Sequence, residues 1–338
     1  MEETECFTMS ETLMHTNQPP DADSPLASAL PEASSAPFAP PGAPLGPPPF
    51  LRERSQLQDR LFAFGRWLIY LVLLGILLLV FSGVEGAFRS RHHNYLLFTM
   101  MSELVFAAAV ILPGFIMAPV EGRPFADFGL PARGAFGRNF WIGTLWGFSA
   151  LSVLMLALHI CGAYEFGSIA LSRVRIAKFA VYYALFFLLT GFAEDFLSRG
   201  YSQWILTKVM GFWPAAALMS VAFGAIHSLN PGESKPGIAA AGLLGFFFCL
   251  TLRRTGNLWW AVGFHMSWDW CESFFYSVPD SGQMSVGHLM NSTFHGPNWL
   301  TGGTAGPEGS LLVFVLIAAL WALFSRIYPE VRWGQANG

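Results

Sequence analysis

The sequence predicts an all-α membrane protein: a polytopic bundle of about eight transmembrane helices that follows a disordered, proline-rich N-terminal tail. Of its 338 residues, 53% are hydrophobic and 12% are charged, whereas an ordinary soluble domain has about 25% charged residues. Apolar runs of about 20 residues, the length that crosses ~30 Å of hydrocarbon as a helix, recur along most of the chain. Eleven of the 22 prolines lie between Pro19 and Pro49.

Residues 1–58 form the predicted tail. Its many proline, alanine and serine residues show little apolar periodicity, so the segment buries too little apolar area to offset the entropy of ordering. We therefore expect disorder, with a docking peptide for a proline-recognising partner as the alternative interpretation. Because so many polar residues precede the first apolar run, we expect that run to be a signal anchor and not a cleaved signal peptide.

Eight apolar segments after the tail are long enough, or nearly so, to cross a bilayer. The predicted spans are 64–82, 97–119, 139–162, 176–194, 212–228, 237–252, 257–278 and 310–328. They divide the chain into N-terminal transmembrane helices (59–175), a helical core (176–278), an extracytoplasmic glycine-rich loop (279–309) and a C-terminal transmembrane helix with its tail (310–338).

The basic residues predict how this bundle is oriented. With a cytoplasmic N-terminus, 13 of the 19 Lys and Arg residues fall on the cytoplasmic side, which agrees with the positive-inside rule. The loop 279–309 has no Lys or Arg, as is typical of a translocated loop. We therefore expect both termini in the cytoplasm of a multi-pass inner-membrane or plasma-membrane protein, and the composition suggests a bacterial origin. A net charge of −3 lacks the signature of nucleic-acid binding, so the lipid bilayer is an expected partner and nucleic acid is not.

Ionisable residues within the apolar segments are candidates for function, because an ionised side chain at the bilayer centre costs about 2.5–3.5 kcal/mol on insertion scales. The densest set is Glu194, Asp195 and Arg199, at the end of the fourth span. Asp195 and Arg199 are four residues apart with the acid first, which favours an ion pair within the helix. Glu194 lies about 100° round the helix from Asp195 and therefore faces a different neighbour. Glu103, another intramembrane acid, has no such motif around it and is expected to be structural.

Two histidines and a second aspartate lie in similarly apolar surroundings. His227 is in the fifth span, and His265 and Asp269 are four residues apart in the seventh, so the latter two share one helix face. A glutamate beside two histidines can deprotonate a water and stabilise the oxyanion that forms when this water attacks a carbonyl, while an aspartate orients one imidazole. Glu194, His227 and His265 would equally form a zinc site that leaves one position open for water. The sequence is compatible with both versions.

Glu194, His227 and His265 can act together only if their three spans place them at the same depth in the membrane. With straight spans, Glu194 falls near the cytoplasmic end of its helix and His227 near the far end of the next one. We therefore expect either that the fourth helix continues through Lys208 or that the fifth helix is displaced.

In these motifs the chain resembles the CAAX prenyl protease and bacterial abortive-infection family, the CPBP intramembrane proteases. The three family motifs, E[ED]xxxR, FxxxH and HxxxN or HxxxD, are matched in order by Glu194, Asp195 and Arg199, by Phe223 and His227, and by His265 and Asp269. Each match lies within an apolar segment, and together they span about residues 176–278. Three short patterns in this order are far more specific than any one of them.

The resemblance implies hydrolysis of peptide bonds within the membrane, in proteins that are membrane-associated or lipid-modified. It also implies roles for the matched residues: water activation by Glu194, assistance by His227 and His265, an oxyanion-side position for Asp269, and organisation of the first motif by Arg199 through Asp195. It leaves a divalent metal such as zinc open as a cofactor. Two other functions compete with this one: a non-enzymatic membrane immunity or scaffold protein, and a proton-coupled transporter, because buried acids and histidines also form proton relays. Nothing in the sequence predicts an oligomeric state.

Overall fold

The computed structural model describes residues 55–89 and 94–334. The helices are α1 (Gln56–Arg89), α2 (Tyr95–Glu121), α3 (Arg138–Ile160), α4 (Arg173–Arg199), α5 (Tyr201–Met210), α6 (Phe212–His227), α7 (Lys235–Thr255), α8 (Trp259–Trp270), α9 (Asn298–Thr301) and α10 (Leu311–Ile327). One π-helical turn (Cys271–Tyr276) continues α8, and two short strands, β1 (Tyr164–Glu165) and β2 (Thr293–Phe294), pair antiparallel.

The predicted fold class is confirmed, because each of the eight predicted spans coincides with a helical segment of the described chain. Five segments are long and apolar enough to cross a membrane: α1, α2, α3, α4 with α5, and α7. Helices α6 and α10 are shorter and apolar. The protein is therefore an integral membrane protein. The predicted tail lies outside the described residues up to position 54, and its last three residues, 56–58, already belong to α1.

The fourth span is much longer than hydropathy predicted. Helices α4 and α5 form one apolar segment of 38 residues, Arg173–Met210, so helical structure extends past Lys208, but in a second helix, since α4 itself ends at Arg199. The two helices are separated at Gly200, where the backbone leaves helical geometry at φ −80° and ψ −120°. A Cβ atom on Gly200 would lie 2.5 Å from the carbonyl oxygen of Phe196, so only glycine fits this break without rearrangement.

Helix α8 is the central helix of the bundle and is buried along almost its whole length. Glycines allow α3 to approach it closely: a Cβ atom on Gly143 would lie 2.0 Å from the carbonyl oxygen of Trp260, and one on Gly263 would lie 2.1 Å from that of Phe140. Close contact through small residues is a common way for helices to pack in membranes. The packing of α8 against α3 and α4 holds His265 and Asp269 in the interior.

The loop that follows α8 folds back over one end of the bundle. Its strand β2 pairs with β1, and the Thr304 hydroxyl donates a hydrogen bond to the carbonyl oxygen of Gly232, between α6 and α7. Ser277, at the end of the π-helical turn, has a left-handed φ of 59° and redirects the chain into this loop. We call this the loop end of the bundle. The opposite end carries Glu121, Arg66 and Lys208, and we call it the basic end.

Candidate active site

A cavity of about 300 Å³ lies within the bundle towards its loop end. The structure brings four of the predicted site residues to its wall: Glu194 from α4, His227 from α6, and His265 and Asp269 from α8. These residues come from three non-adjacent stretches of the chain. The cavity is lined by both polar and aromatic side chains, since tyrosines and phenylalanines of α2 and α4 also face it.

Asp195 and Arg199 form a sealed ion pair behind this wall. Arg199 Nη1 lies 2.6 Å from Asp195 Oδ1, and both side chains are at most 1% exposed. Arg199 Nε also donates to the carbonyl oxygen of Gly245 at 3.0 Å, which ties α4 to α7. The guanidinium lies over the ring of Phe223, 4.6 Å from its centroid, a favourable cation–π arrangement. The ion pair predicted from the spacing of four residues is thus present.

His265 faces a carboxylate on both of its ring nitrogens. Its Nε2 lies 3.7 Å from Glu194 Oε2 and 3.5 Å from Asp269 Oδ2, and its Nδ1 lies 3.7 Å from Asp195 Oδ2. A Cβ atom on Gly191 would lie 3.2 Å from the Cβ of His265, so glycine at this position lets α4 approach α8. Asp195 therefore bridges Arg199 and His265, a connection that sequence spacing alone did not reveal.

His227 lies in the last turn of α6, half-buried and facing the cavity. Its Nδ1 is 2.8 Å from the carbonyl oxygen of Phe223, one helical turn earlier. Because a carbonyl oxygen only accepts hydrogen bonds, Nδ1 must carry the proton, and Nε2 is the nitrogen left for chemistry. The FxxxH spacing thus sets the tautomer of His227 through main-chain geometry.

Three further acids line the same cavity, and sequence reasoning gave none of them a functional role. Glu103, predicted to be structural, extends from α2, while Asp280 and Glu308 come from the loop after α8. One Glu103 oxygen, Oε1, is buried without a hydrogen-bond partner. A usable signal was present for the loop acids: they occur in a segment of 31 residues without any Lys or Arg, which leaves them no basic partner nearby in sequence.

The ligand atoms that lie closest together do not belong to the predicted zinc set. Asp269, Glu272 and Asp280 form a group of three acids whose ligand atoms lie within 4.8 Å of one another. No other group of three His, Cys, Asp or Glu side chains within residues 55–89 and 94–334 meets this distance. Glu194, His227 and His265 do not form such a group. A tetrahedral zinc ion holds nitrogen and oxygen ligands at about 2.0–2.2 Å, so these three side chains would have to come closer together to bind one. Burial, followed by the charge of Glu308, raises the pKa of Asp280 well above its usual range.

Comparison with known proteins gives one match. Residues 176–271 match a family model described as type II CAAX prenyl endopeptidase, Rce1-like. This stretch runs from α4 to the start of the π-helical turn and contains all six predicted site residues. No curated protein and no solved structure matches the chain.

Proposed function

Because its core, residues 176–271, belongs to the CPBP family of CAAX-type intramembrane proteases, we propose that this protein hydrolyses peptide bonds by a water that Glu194 activates. The observation that carries this proposal is the approach of Glu194 Oε2 to His265 Nε2, 3.7 Å, in a cavity that His227 also lines. A base, two imidazoles and room for water and a peptide are what such a hydrolysis requires.

The reaction begins with a water between the Glu194 carboxylate and the scissile carbonyl carbon. Glu194 takes one proton from the water as the oxygen bonds to the carbonyl carbon. The carbonyl oxygen becomes an oxyanion, which the N–H group of His265 stabilises, or the Nε2–H group of His227 once that imidazole is doubly protonated. The carbon–nitrogen bond then breaks, and Glu194 passes its proton to the departing nitrogen. The products are a carboxylic acid and an amine, and the acid then loses its proton to the amine.

The other matched residues position this machinery. Asp195 Oδ2 faces His265 Nδ1 at 3.7 Å, beyond hydrogen-bond distance, and Arg199 holds Asp195 in this position. Asp269 faces the Nε2 side of His265. An ionised carboxylate only accepts hydrogen bonds, so we assign Asp269 to orienting the imidazole and not to donating to the oxyanion. Zinc held by Glu194, His227 and His265 stays a prediction, and no step above depends on it.

The cavity supports a membrane-embedded or lipid-modified substrate. Its wall between α2 and α4 is aromatic, with Tyr95, Tyr182, Tyr183, Phe186 and Phe187, and such a surface suits an apolar segment next to the scissile bond. The cavity lies towards the loop end, away from the basic end of the bundle. If the basic end is cytoplasmic, as the positive-inside rule predicts, substrates enter from the extracytoplasmic side.

Substitution of the base tests the proposal. Purified protein in nanodiscs is incubated in ¹⁸O-labelled water with membrane-protein fragments and with C-terminally prenylated peptides. Mass spectrometry then identifies cleavage sites and the label in each new carboxylate. We expect Glu194→Gln to lower the cleavage rate by about 10²- to 10⁴-fold with an unchanged melting temperature.

The matched control is Glu165→Gln, because Glu165 is 70% exposed on β1 and should not affect cleavage. Wild-type cleavage by Glu194→Gln would remove the proposal. A non-enzymatic immunity or scaffold protein would instead keep its cellular phenotype with Glu194→Gln. Solute uptake by reconstituted protein that persists with this variant would indicate a transporter.

A further inference from the structure

Three acids come together next to the proposed site, and two of them, Asp269 and Asp280, line the same cavity as His265. Asp269 is in α8, Glu272 is in the π-helical turn, and Asp280 is in the loop that follows. One oxygen from each lies within 4.8 Å of the other two. Glu272 and Asp280 lie beyond residue 271, where the family match ends.

Two members of this cluster, Asp269 and Glu272, are buried and Asp280 is half-buried; the basic side chain that contacts the cluster is His265, 3.5 Å from Asp269. Glu272 is 0% exposed, and neither of its carboxylate oxygens has a hydrogen-bond partner. Among the ion pairs of the described part of the chain, none joins a Lys or Arg to these three acids. Asp280 receives one hydrogen bond, from the Ser273 hydroxyl at 3.3 Å. Several carboxylates in such surroundings must either be protonated or share a bound cation.

The chemistry of the cluster fits a hard divalent cation of the calcium class. Calcium binds carboxylate oxygens at about 2.3–2.6 Å, so two ligands on opposite sides of the ion are about 4.6–5.2 Å apart. Three ligands spaced evenly around the ion are about 4.0–4.5 Å apart, so separations within 4.8 Å are compatible with a single ion that all three oxygens contact. The ligands are all oxygen, without thiolate or imidazole, and such a set favours calcium or magnesium over zinc.

Glu308 completes the surroundings from the loop. Its two oxygens accept hydrogen bonds from Trp268 Nε1 at 3.0 Å and from Ser281 Oγ at 2.8 Å. These bonds hold Ser281, the neighbour of Asp280, against α8. Glu308 therefore fixes the loop that carries Asp280, and it contributes further negative charge next to the cluster.

We infer that Asp269, Glu272 and Asp280 form a binding site for a divalent cation of the calcium class, next to the Glu194 and histidine site and sharing Asp269 with it. A cation there would link α8, the π-helical turn and the loop through one ion. It would also fix Asp269, whose Oδ2 faces His265, and would thereby help to hold the imidazole in position.

Calcium itself is the probe for the first test. Full-length protein in detergent is stripped with a chelator, and its melting temperature is measured during titration with Ca²⁺ and, separately, with Mg²⁺. We expect Ca²⁺ to raise the melting temperature by several degrees, with an increase that grows logarithmically above the dissociation constant. Mg²⁺ is smaller and demands stricter octahedral geometry, so a smaller increase is expected.

Glu272→Gln keeps the shape of the side chain and removes its charge. We expect it to weaken Ca²⁺ binding about tenfold or more, because calcium affinity depends on the number of charged ligands. Without cation, this variant should melt at the same temperature as the wild type or higher, since it removes repulsion between buried acids. Terbium luminescence, sensitised by the nearby Trp268, should fall with Glu272→Gln and with Asp280→Asn.

Two controls separate this site from the proposed active site. Glu194→Gln should abolish cleavage and keep the full response to Ca²⁺, and the exposed Glu165→Gln should change neither property. The inference is wrong if wild-type protein shows no response to Ca²⁺ or if Glu272→Gln responds as the wild type does. The first result would mean that protonation neutralises the cluster, and the second that Ca²⁺ binds elsewhere. Should Glu272→Gln fail to fold, the loop variant Asp280→Asn provides the same comparison.

Discussion

Each end of the bundle has a buried glutamate, but the two glutamates differ in whether basic side chains contact them. At the basic end, the Glu121 side chain is 2% exposed and is surrounded by partners: Arg66 Nε at 2.9 Å, Lys208 Nζ at 3.3 Å and the Tyr201 hydroxyl at 2.9 Å. At the loop end, Glu272 is also buried but has no partner for either oxygen. Removal from water is similar at the two positions, but only Glu121 is compensated within the protein.

This difference separates structural acids from functional ones. An acid with fixed basic partners links α1, α2 and α5, and its charge is unavailable to a ligand. Acids without such partners are free to bind a cation, a proton or a water. Asp195 is an intermediate case, because Arg199 compensates one of its oxygens and the other faces His265. Substitutions of these acids should therefore differ in their effect on the free energy of unfolding.

Loss of Asp195 should have the largest effect on stability. Asp195→Ala leaves the Arg199 guanidinium, 1% exposed, without its counter-charge, and breaking a buried pair in this way costs about 3–5 kcal/mol. We expect this loss in the free energy of unfolding, measured by denaturant titration in mixed micelles. Glu194→Gln, one residue away, serves as the control and should be nearly neutral. Equal stability of the two variants would contradict the assignment of Asp195 to a sealed pair.

Glu121 and Glu272 should respond with opposite signs to the same substitution. Glu121→Gln weakens contacts to Arg66, Lys208 and Tyr201, and hydrogen bonds to charged groups are each worth about 1.5–3 kcal/mol. We expect a loss of about that size in total, because water reaches Arg66 and Lys208. Glu272→Gln should cause no loss when chelator is present. Thermal melting of both proteins in one buffer checks this, and a matching decrease for both would remove the distinction between the two ends.

The smallest effect is expected from Arg66. This side chain is 32% exposed, and ion pairs with an exposed partner contribute about 0–1 kcal/mol. Arg66→Gln should therefore lower the free energy of unfolding by less than about 1 kcal/mol, and Lys208 should keep Glu121 paired. Melting curves at low and high salt provide the measurement. A loss as large as that of Glu121→Gln would show that Arg66 alone compensates the acid.

Much of the helical framework could be predicted from the sequence because lipid imposes a simple rule. Apolar runs mark helices, and all eight predicted spans coincide with helical segments. The break at Gly200 was not predicted, because hydropathy reports the apolar character of α4 and α5 but not the backbone angles between them. The contact of Gly143 with α8 was equally hidden, since a glycine in an apolar run gives no indication of its neighbour.

The candidate site, too, could be predicted from the sequence only in part. Spacing within one helix predicted the pair of Asp195 and Arg199, which four residues of helix bring together. The meeting of Glu194 and His265 was expected from the chemistry of polar residues in apolar segments and from motif resemblance, because no local rule joins α4 to α8. Asp280 lies in the loop, and its position depends on how the chain folds back after the π-helical turn. Such long-range contacts leave almost no pattern in a single sequence.

The central claim is that Glu194 performs hydrolysis in a cavity that it shares with two histidines. The most direct measurement compares new protein N-termini, by quantitative mass spectrometry, in membranes from cells that express wild-type protein or Glu194→Gln at equal folded levels. We predict a defined set of new N-termini within or next to apolar segments in the wild type, and its absence with Glu194→Gln. The same set with both proteins would contradict the claim.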